Sequence, residues 1–495
     1  MRGRPRPDAR APSRIPGLCA CQRFAPRVIS TGGRQASGAN MAVSANRRIW
    51  GWYFFDFASQ PYNTLLLTFI FGPYVVSVVG DGSAAQAIWG YGIGAAGFLI
   101  ALSAPLLGAV ADRAGGRMPF IWLFSLMYVI GSWGIWYSAP DDFNVWFVML
   151  MFGIGLVGME FATIFTNAML PSLGTKDEIG RISGSGWAFG YVGGVLALIL
   201  MLTLLAEGGS GKTLIGIDPI LALDAAAREG TRSVGPFTAI WYAVFMIPFF
   251  LWVREPRDPN AVGIGAAVRG AWPELKATLR DLPRQRSLFA YLGSSMFYRD
   301  ALNGMYVFGG IYAAGVLGWT VTEVGIFGIL AAITGAVFCW IGGRADSRFG
   351  PRPVIAVCVL ALAGIALAVV FVSRDSVFGM AVPATSRLPD IAFYILGAGI
   401  GAAGGALQSS SRTMMVRQSH PAKMTESFGL YALAGKATSF VAPLSIGIVS
   451  DVTGSQQLGI TPLIALFLIG LVLLLWVKPD GERAGWSDPL AVPQR

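Results

Sequence analysis

The chain has 495 residues, of which 54% are hydrophobic and only 13% are charged. Soluble domains carry about 25% charged residues, so the composition excludes that class and predicts an integral membrane protein. The net charge of +10 does not indicate nucleic-acid binding, because residues 1–40 contain eight arginines and one aspartate and so hold most of the excess. One histidine and four cysteines, without the spacing of metal ligands, predict neither a metal site nor a cofactor nor an embedded enzyme.

The N-terminal segment, residues 1–46, is predicted to be a disordered basic tail. It is rich in Arg, Pro, Gly and Ser and contains no apolar run that would bury a core. Met41 stands shortly before the first apolar stretch. The residues ahead of it are therefore either sequence upstream of the translation start or an arginine-rich targeting segment.

Twelve apolar stretches of membrane-spanning length follow this tail. They lie near residues 53–79, 86–110, 119–138, 143–170, 183–205, 236–253, 288–315, 322–343, 353–373, 391–414, 427–450 and 460–477. A basic linker, residues 254–287, separates a first half, residues 47–253, from a second half, residues 288–478. Residues 479–495 form a second tail. The predicted fold is an all-α membrane protein with twelve transmembrane helices in two parallel six-helix pseudo-repeats.

The basic residues of the loops lie mostly on one side of the predicted bundle, the side of the linker and of both chain ends. Arg412, Arg417 and Lys423 are assigned to one of these loops. Since Lys and Arg accumulate in cytoplasmic loops, we expect both termini and the linker to be cytoplasmic. We further expect a monomer in a bacterial inner (plasma) membrane, with the lipid bilayer and a small-molecule substrate as its partners.

Two loops share the pattern Gly-x-x-x-Asp followed by basic residues around a glycine. The pattern begins at Gly108 after the second stretch and again at Gly342 after the eighth. The aspartate of such a loop accepts hydrogen bonds from a helix N-terminus or an arginine and holds two helices in one of two arrangements. The predicted gating residues are Asp112, Arg113, Arg117, Asp346, Arg348 and Arg352.

These paired loops resemble the signature of the major facilitator superfamily, where it joins helices two and three and helices eight and nine. Further motifs resemble the vacuole-effluxer-like branch of that superfamily. They are Phe54-Phe55-Asp56-Phe57-Ala58-Ser59, Asn167-Ala168-Met169-Leu170-Pro171, Gly190-Tyr191-Val192-Gly193-Gly194, Phe297-Tyr298-Arg299-Asp300, Gln408-Ser409-Ser410-Ser411-Arg412 and Glu426-Ser427-Phe428-Gly429. The resemblance covers about residues 47–478, and the chain departs from it at Phe57 and Ala301, where the branch usually has Trp and Gly.

The resemblance implies a secondary transporter that moves a small polar or zwitterionic solute by alternating access. Efflux and proton coupling are expected, and neutral amino acids are attributed to the fungal vacuolar members of the branch. Two alternatives stay open at this point. The chain could be a drug or sugar transporter of the same fold, or a membrane receptor or scaffold that transports nothing.

Five charged residues lie within apolar stretches, where an unpaired charge costs roughly 2.5–3.5 kcal/mol. They are Asp56, Glu160, Arg299, Asp300 and Lys436. Asp56, Asp300 and Glu160 are the candidates for proton coupling. The alternative is that they form static pairs with Arg299 or Lys436 and fix the packing of helices. Lys436 either binds a substrate carboxylate or neutralises Glu160 or Asp300.

Polar and aromatic residues in the same stretches supply further candidates for substrate binding. They are Gln60, Tyr62, Asn63, Trp187, Tyr191, Asn303 and Tyr306, together with Lys436. Each has a structural alternative, because such side chains also join neighbouring transmembrane helices.

Overall fold

The computed structural model describes residues 44–80, 82–208, 211–255, 261–319, 321–383 and 385–482. The side chains of residues 82–87 and 321–322 lie outside this description. The predicted disorder of residues 1–43 and the end of the second tail, residues 483–495, also fall outside the described residues. At the boundary, Ser44 accepts from the Arg47 amide and Ala45 begins the first helix, so residues 45 and 46 are helical rather than disordered.

Eleven helical segments of the described chain are long and apolar enough to cross a membrane. They are α1 (Ala45–Val79), α2 (Ile88–Arg113), α3 (Met118–Tyr137), α4 (Val145–Ser172), α5 (Lys176–Leu205), α6 (Glu229–Trp252), α8 (Glu323–Phe349), α9 (Pro351–Val370), α10 (Leu388–Gln418), α11 (Pro421–Thr453) and α12 (Gln456–Trp476). The remaining predicted crossing corresponds to α7 (Arg286–Val316), a helix of 31 residues. At 1.5 Å per residue it is longer than the roughly 30 Å hydrocarbon core, but Arg299, Asp300 and Asn303 make its centre less apolar.

The linker between the two halves contains a further helix, Ile264–Asp281, which we call the linker helix. Its start lies against the end of α2, where the Val262 amide donates to the Arg113 carbonyl. We call the end of the bundle that carries this helix the linker side. The only strands among the described residues are β1 (Ser376–Val377) and β2 (Met380–Ala381), an antiparallel pair between α9 and α10.

Two crossings contain breaks that have identifiable causes. In α1, Pro61 is followed by a π-helical stretch, Tyr62–Phe69, because proline lacks the amide hydrogen that would continue a regular ladder. In α11, the α-helix Met424–Ala437 ends before a new α-helix, Val441–Thr453, begins. The second break creates a helix N-terminus at Val441 within α11, and the first backbone amides there need hydrogen-bond acceptors.

Candidate functional site

The two halves touch backbone to backbone on the linker side. A Cβ atom on Gly184 of α5 would overlap the Cys339 carbonyl of α8 and lie 2.6 Å from the Gly343 Cα atom. A Cβ atom on Gly429 of α11 would lie 2.5 Å from the Ala104 carbonyl oxygen of α2. Only glycine permits such close approach of transmembrane helices, so these positions hold the linker side closed.

The first of the two repeated loops bridges the halves. Asp112 accepts hydrogen bonds from the Thr425 amide at 3.2 Å, the Thr425 hydroxyl at 2.6 Å and the Glu426 amide at 2.9 Å. These amides form the N-terminus of the helix that begins at Met424, where a carboxylate is favourable. Arg117 donates to the Thr425 hydroxyl at 2.6 Å and pairs with Asp112 at 3.1 Å. Asp112 and Arg117 of the first half are therefore bound to the start of α11 in the second half.

The second repeated loop is arranged differently. Asp346 accepts from the Ser410 hydroxyl at 2.8 Å, which lies in its own half. The contact to the first half is made by the neighbouring Ser347, whose hydroxyl accepts from the Arg181 amide at 3.1 Å.

The role of Arg348 and Arg352 as gating residues stays a prediction. The guanidinium of Arg348 lies 5.3 Å from the ring of its neighbour Phe349. Arg352 donates to the Leu475 carbonyl of α12 at 3.1 Å. Both arginines therefore contact the second half, to which they themselves belong.

A third connection runs through the linker helix. Glu274 pairs with Arg113 of the first half at 2.8 Å and with Lys423 of the second half at 3.4 Å. Lys423 also donates to Thr278, one turn further along the helix, at 3.0 Å. The linker helix therefore ties the ends of α2 and α11 together.

A buried arginine of α10 forms the centre of the polar contact between the halves. Arg412 Nη1 lies 3.0 Å from Asp56 Oδ2 and 3.1 Å from Asn167 Oδ1, both in the first half. Its Nε donates to the Ser183 hydroxyl at 2.9 Å and its Nη2 to the Ser183 carbonyl at 2.6 Å. These acceptors satisfy the guanidinium, whose side chain is only 4% exposed.

Two tryptophans of the first half enclose the same guanidinium. Its Cζ atom lies 4.5 Å from the Trp52 ring centroid and 5.5 Å from that of Trp187. Trp52 is held in place because its indole nitrogen donates to the Thr166 carbonyl at 2.9 Å. The rings attract the cation and exclude water, which strengthens the pairing with Asp56.

The sequence prediction missed Arg412 as a site residue. It assigned Arg412 to a loop, whereas α10 continues as a helix to Gln418, and it offered Arg299 and Lys436 as the partners of Asp56. The available signal was the unbroken helical register of the Ser409–Arg412 motif, which places an arginine one turn inside a membrane helix.

Glu160 and Lys436 form the second charge pair between the halves. Lys436 Nζ of α11 lies 2.7 Å from Glu160 Oε1 of α4. Their side chains are 31% and 24% exposed, so this pair is reachable by solvent where Arg412 is not. Lys436 passes over Gly97 of α2, whose missing side chain leaves room for the lysine stem.

Arg299 and Asp300 are neighbours in α7 but have separate partners. Arg299 Nη1 donates to the Tyr431 carbonyl at 2.9 Å, and its guanidinium lies 4.1 Å from the Tyr431 ring centroid. Asp300 accepts from the Ala442 amide at 2.9 Å, at the N-terminus created by the break in α11. Asp300 is therefore buried as a cap of a half-helix within the second half.

The remaining candidates differ in exposure and in contacts. Asn303 and Tyr306 are exposed on α7, and the Asn63 side chain is half-buried, 4.0 Å from Met159 Sδ. The Tyr191 hydroxyl accepts a hydrogen bond at 3.3 Å from Gln408 of the other half. Gln60 packs beside Gly194 within the first half.

Substrate binding by Tyr62 stays a prediction, and in this structure the residue has a packing role. Its side chain is fully buried in the first half, and its hydroxyl donates to the Phe152 carbonyl at 2.6 Å. The Tyr62 ring also lies 5.2 Å from that of Tyr128. This side chain therefore joins α1 to α3 and α4 in the core.

Comparison with known proteins agrees with this architecture. The family described as "Vacuole effluxer Atg22 like" matches residues 72–484. An uncharacterised MFS-type transporter, YxiO of Bacillus subtilis, is 24% identical over 87% of this chain and 94% of its own length. Autophagy-related protein 22 of Cryptococcus neoformans is 23% identical over 62% of this chain, and the alignment spans about half, 52%, of that longer relative.

Among solved structures, the major facilitator superfamily transporter FucP in its outward conformation shares the fold. The TM-score is 0.65 at 13% identity, over 87% of this chain and 98% of that structure. The central charge pairs, the repeated loops and these matches together identify the class of protein. The chain belongs to the Atg22-like vacuole effluxer family and is a multi-pass transporter of the major facilitator superfamily.

Proposed function

We propose that this transporter exports a small zwitterionic solute, an amino acid being the leading class, by alternating access. The supporting observation is the Glu160–Lys436 pair, because it offers one negative and one positive group from opposite halves, both partly exposed. A zwitterion carries both complementary charges. Its carboxylate replaces Glu160 at Lys436 while its ammonium group is accepted by Glu160, so no charge is left unpaired in the membrane.

The exposed polar groups on α7 suit the rest of such a ligand. Asn303 offers an exposed amide, and Tyr306, whose hydroxyl hydrogen-bonds Tyr191 of the first half, offers a hydroxyl at the junction between the halves. A ligand held between α4 and α11 contacts both halves at once, so its binding favours one relative arrangement of them over another.

Proton coupling is proposed to act through Asp56 rather than through the exposed pair. Protonation of Asp56 removes the charge that holds Arg412 against the first half, while Asn167, Ser183 and the tryptophan rings keep the arginine partly satisfied. Loss of this attraction weakens the contact that keeps the linker side closed. Binding of a proton is thereby coupled to the opening of that side.

The orientation is proposed from the distribution of basic residues. Arg117, Arg348 and Lys423 lie on the linker side, which we therefore assign to the cytoplasm. A relative from Bacillus subtilis of nearly the same length supports a bacterial plasma membrane as the location. Export and a monomeric state complete the proposal, and the effluxer description of the family supports the direction of transport.

The test of the substrate class is a thermal-stability screen of the purified protein against neutral amino acids, sugars and cationic dyes. A ligand that binds the folded state raises its melting temperature, and a neutral amino acid is expected to do so. Glu160→Gln should abolish that rise. Stabilisation by sugars or dyes alone, or an unchanged response of the variant, would overturn the assignment.

The test of coupling is transport by Asp56→Asn in proteoliposomes. Exchange of substrate across the membrane should continue, since the isosteric amide keeps the shape of the site. Uphill transport driven by a pH gradient should be lost. If the variant still drives uptake as well as the wild type does, Asp56 does not carry the coupled proton.

A further inference from the structure

The linker helix has a buried face that binds it to the bundle. Ala267, Ala271 and Leu275 are buried at intervals of four residues, and the two alanines pack with Ala109 and Val110 near the end of α2. Because α2 spans the membrane and ends at Arg113, this packing places the linker helix at the level where the hydrocarbon core meets the headgroups.

A second, apolar face of the same helix is exposed. Four side chains on it are strongly accessible: Ile264 at 61%, Val268 at 54%, Trp272 at 62% and Leu279 at 42%. At 100° per residue they fall within one stripe of about 80°, which borders the positions of Ala267 and Ala271. Exposed tryptophan and aliphatic side chains at this depth are typical of helices that lie in a membrane interface.

A third face is basic. Arg269, Lys276 and Arg280 are exposed and continue around the helix directly beside the apolar stripe. Among the described residues, none of the three pairs with a carboxylate, whereas Arg284 just beyond the helix pairs with Asp281 at 3.2 Å. Three unpaired cations beside an exposed apolar stripe are complementary to the negative headgroups and acyl chains of an anionic leaflet.

We propose that the linker helix is a binding site for anionic phospholipid, with its apolar stripe inserted in the leaflet and its basic face on the headgroup phosphates. Because Glu274 of this helix joins Arg113 to Lys423, lipid that holds the helix also holds the ends of α2 and α11 together. Anionic lipid thereby favours the closed linker side. The proposal does not depend on which solute is transported.

The test uses the full chain in nanodiscs of phosphatidylcholine alone or mixed with phosphatidylglycerol. Hydrogen exchange across residues 264–281 should slow when the anionic lipid is present. Each basic residue near an anionic surface contributes about 1 kcal/mol, or about fivefold, so the triple variant Arg269→Gln, Lys276→Gln and Arg280→Gln should lose most of the added protection.

A matched control removes the same charge from exposed arginines of the linker side that lie off the helix: Arg47→Gln, Arg284→Gln and Arg286→Gln. This control should keep the response to anionic lipid. Equal exchange in the two lipid mixtures, or an equal loss in the control, would overturn the proposal.

A spin label distinguishes lipid from a soluble protein partner. Placed at Val268, in the apolar stripe, it should be accessible to oxygen and shielded from a water-soluble relaxation agent, as acyl chains require. Placed at Ala266, on the opposite side of the helix, it should show the reverse. A label at Val268 that stays accessible to the water-soluble agent contradicts insertion.

Discussion

The two charge pairs between the halves differ in how completely the protein surrounds them. Arg412 and Asp56 are 4% and 12% exposed, and the arginine has two further acceptor residues and two aromatic rings. Lys436 and Glu160 are 31% and 24% exposed, and each is the ion-pair partner of the other. The Arg412–Asp56 pair is enclosed by protein, while the Lys436–Glu160 pair is partly exposed.

The proposed function rests on this difference in enclosure. A fully enclosed pair gives up several good hydrogen bonds when it separates, and a single small ligand cannot replace all of them. An open pair with one contact on each side can be replaced by a zwitterion at low cost. The proposed function therefore gives Arg412 the role of holding the two halves together and gives Glu160 and Lys436 the role of binding the ligand.

The largest effect is expected for Arg412→Gln. It leaves Asp56 buried without its cation and empties the space between Trp52 and Trp187, and removal of one partner from a buried pair typically costs about 3–5 kcal/mol. The melting temperature should fall clearly, and transport should be lost.

The double variant Arg412→Gln with Asp56→Asn is the matched control for this effect. It removes both charges and should recover part of the stability, because no buried carboxylate is left unpaired. If Arg412→Gln alone has the melting temperature of the wild type, the enclosed Arg412–Asp56 pair does not contribute to stability.

The sequence predicted the fold because its signals are local. Each crossing is an apolar run, and the repeated Gly-x-x-x-Asp loops at Gly108 and Gly342 indicate the internal duplication directly. It also identified Asp56, Glu160 and Lys436 as charges that need partners. The count of twelve agrees with eleven apolar spans and the long but more polar α7.

The pairing of those charges could not be predicted in the same way. Asp56 and Arg412 are 356 positions apart, and they meet only because α1, α5 and α10 converge at one point between the halves. Asp56 and Asp300 were both candidates for proton coupling, but the break in α11 gives Asp300 a backbone amide to cap, whereas Asp56 pairs with Arg412. The partner of Tyr62 was equally unpredictable from the sequence. Its hydroxyl donates to a backbone carbonyl within its own half.

A smaller effect on stability is expected for Glu160→Gln. The pair is partly exposed, and such pairs contribute about 0–1 kcal/mol, so the melting temperature of the ligand-free protein should change little. Ligand binding should be lost, because the ammonium group of a zwitterion has no anion to meet. The charge-exchanged variant Glu160→Lys with Lys436→Glu restores the pair between the halves and is the matched control.

The smallest effect concerns the partly exposed connection through Glu274. Burial alone would raise the pKa of this carboxyl, but the hydrogen bond from Arg113 and the charge of Lys423 outweigh it and hold the pKa below its ordinary value of about 4.3. A lowered carboxyl pKa means that the stabilisation is complete above the ordinary value and is lost as the pH falls through the lowered one. Protection of the linker helix from hydrogen exchange, corrected for intrinsic rates, should therefore stay constant while the pH is above that ordinary value and weaken as the pH falls below it.

Glu274→Gln supplies the control for that pH profile. It should show slightly weaker protection of the linker helix at neutral pH and no further loss at acidic pH from this group. The other titratable groups beside the connection are Glu426, 4.0 Å from Lys423, and His420, whose pKa is lowered by burial and by the charge of Lys423. A loss of protection between pH 7 and 5 that persists in Glu274→Gln would assign the pH dependence to one of these neighbours. Glu274 would then not be the group that makes the contact between the halves sensitive to acid.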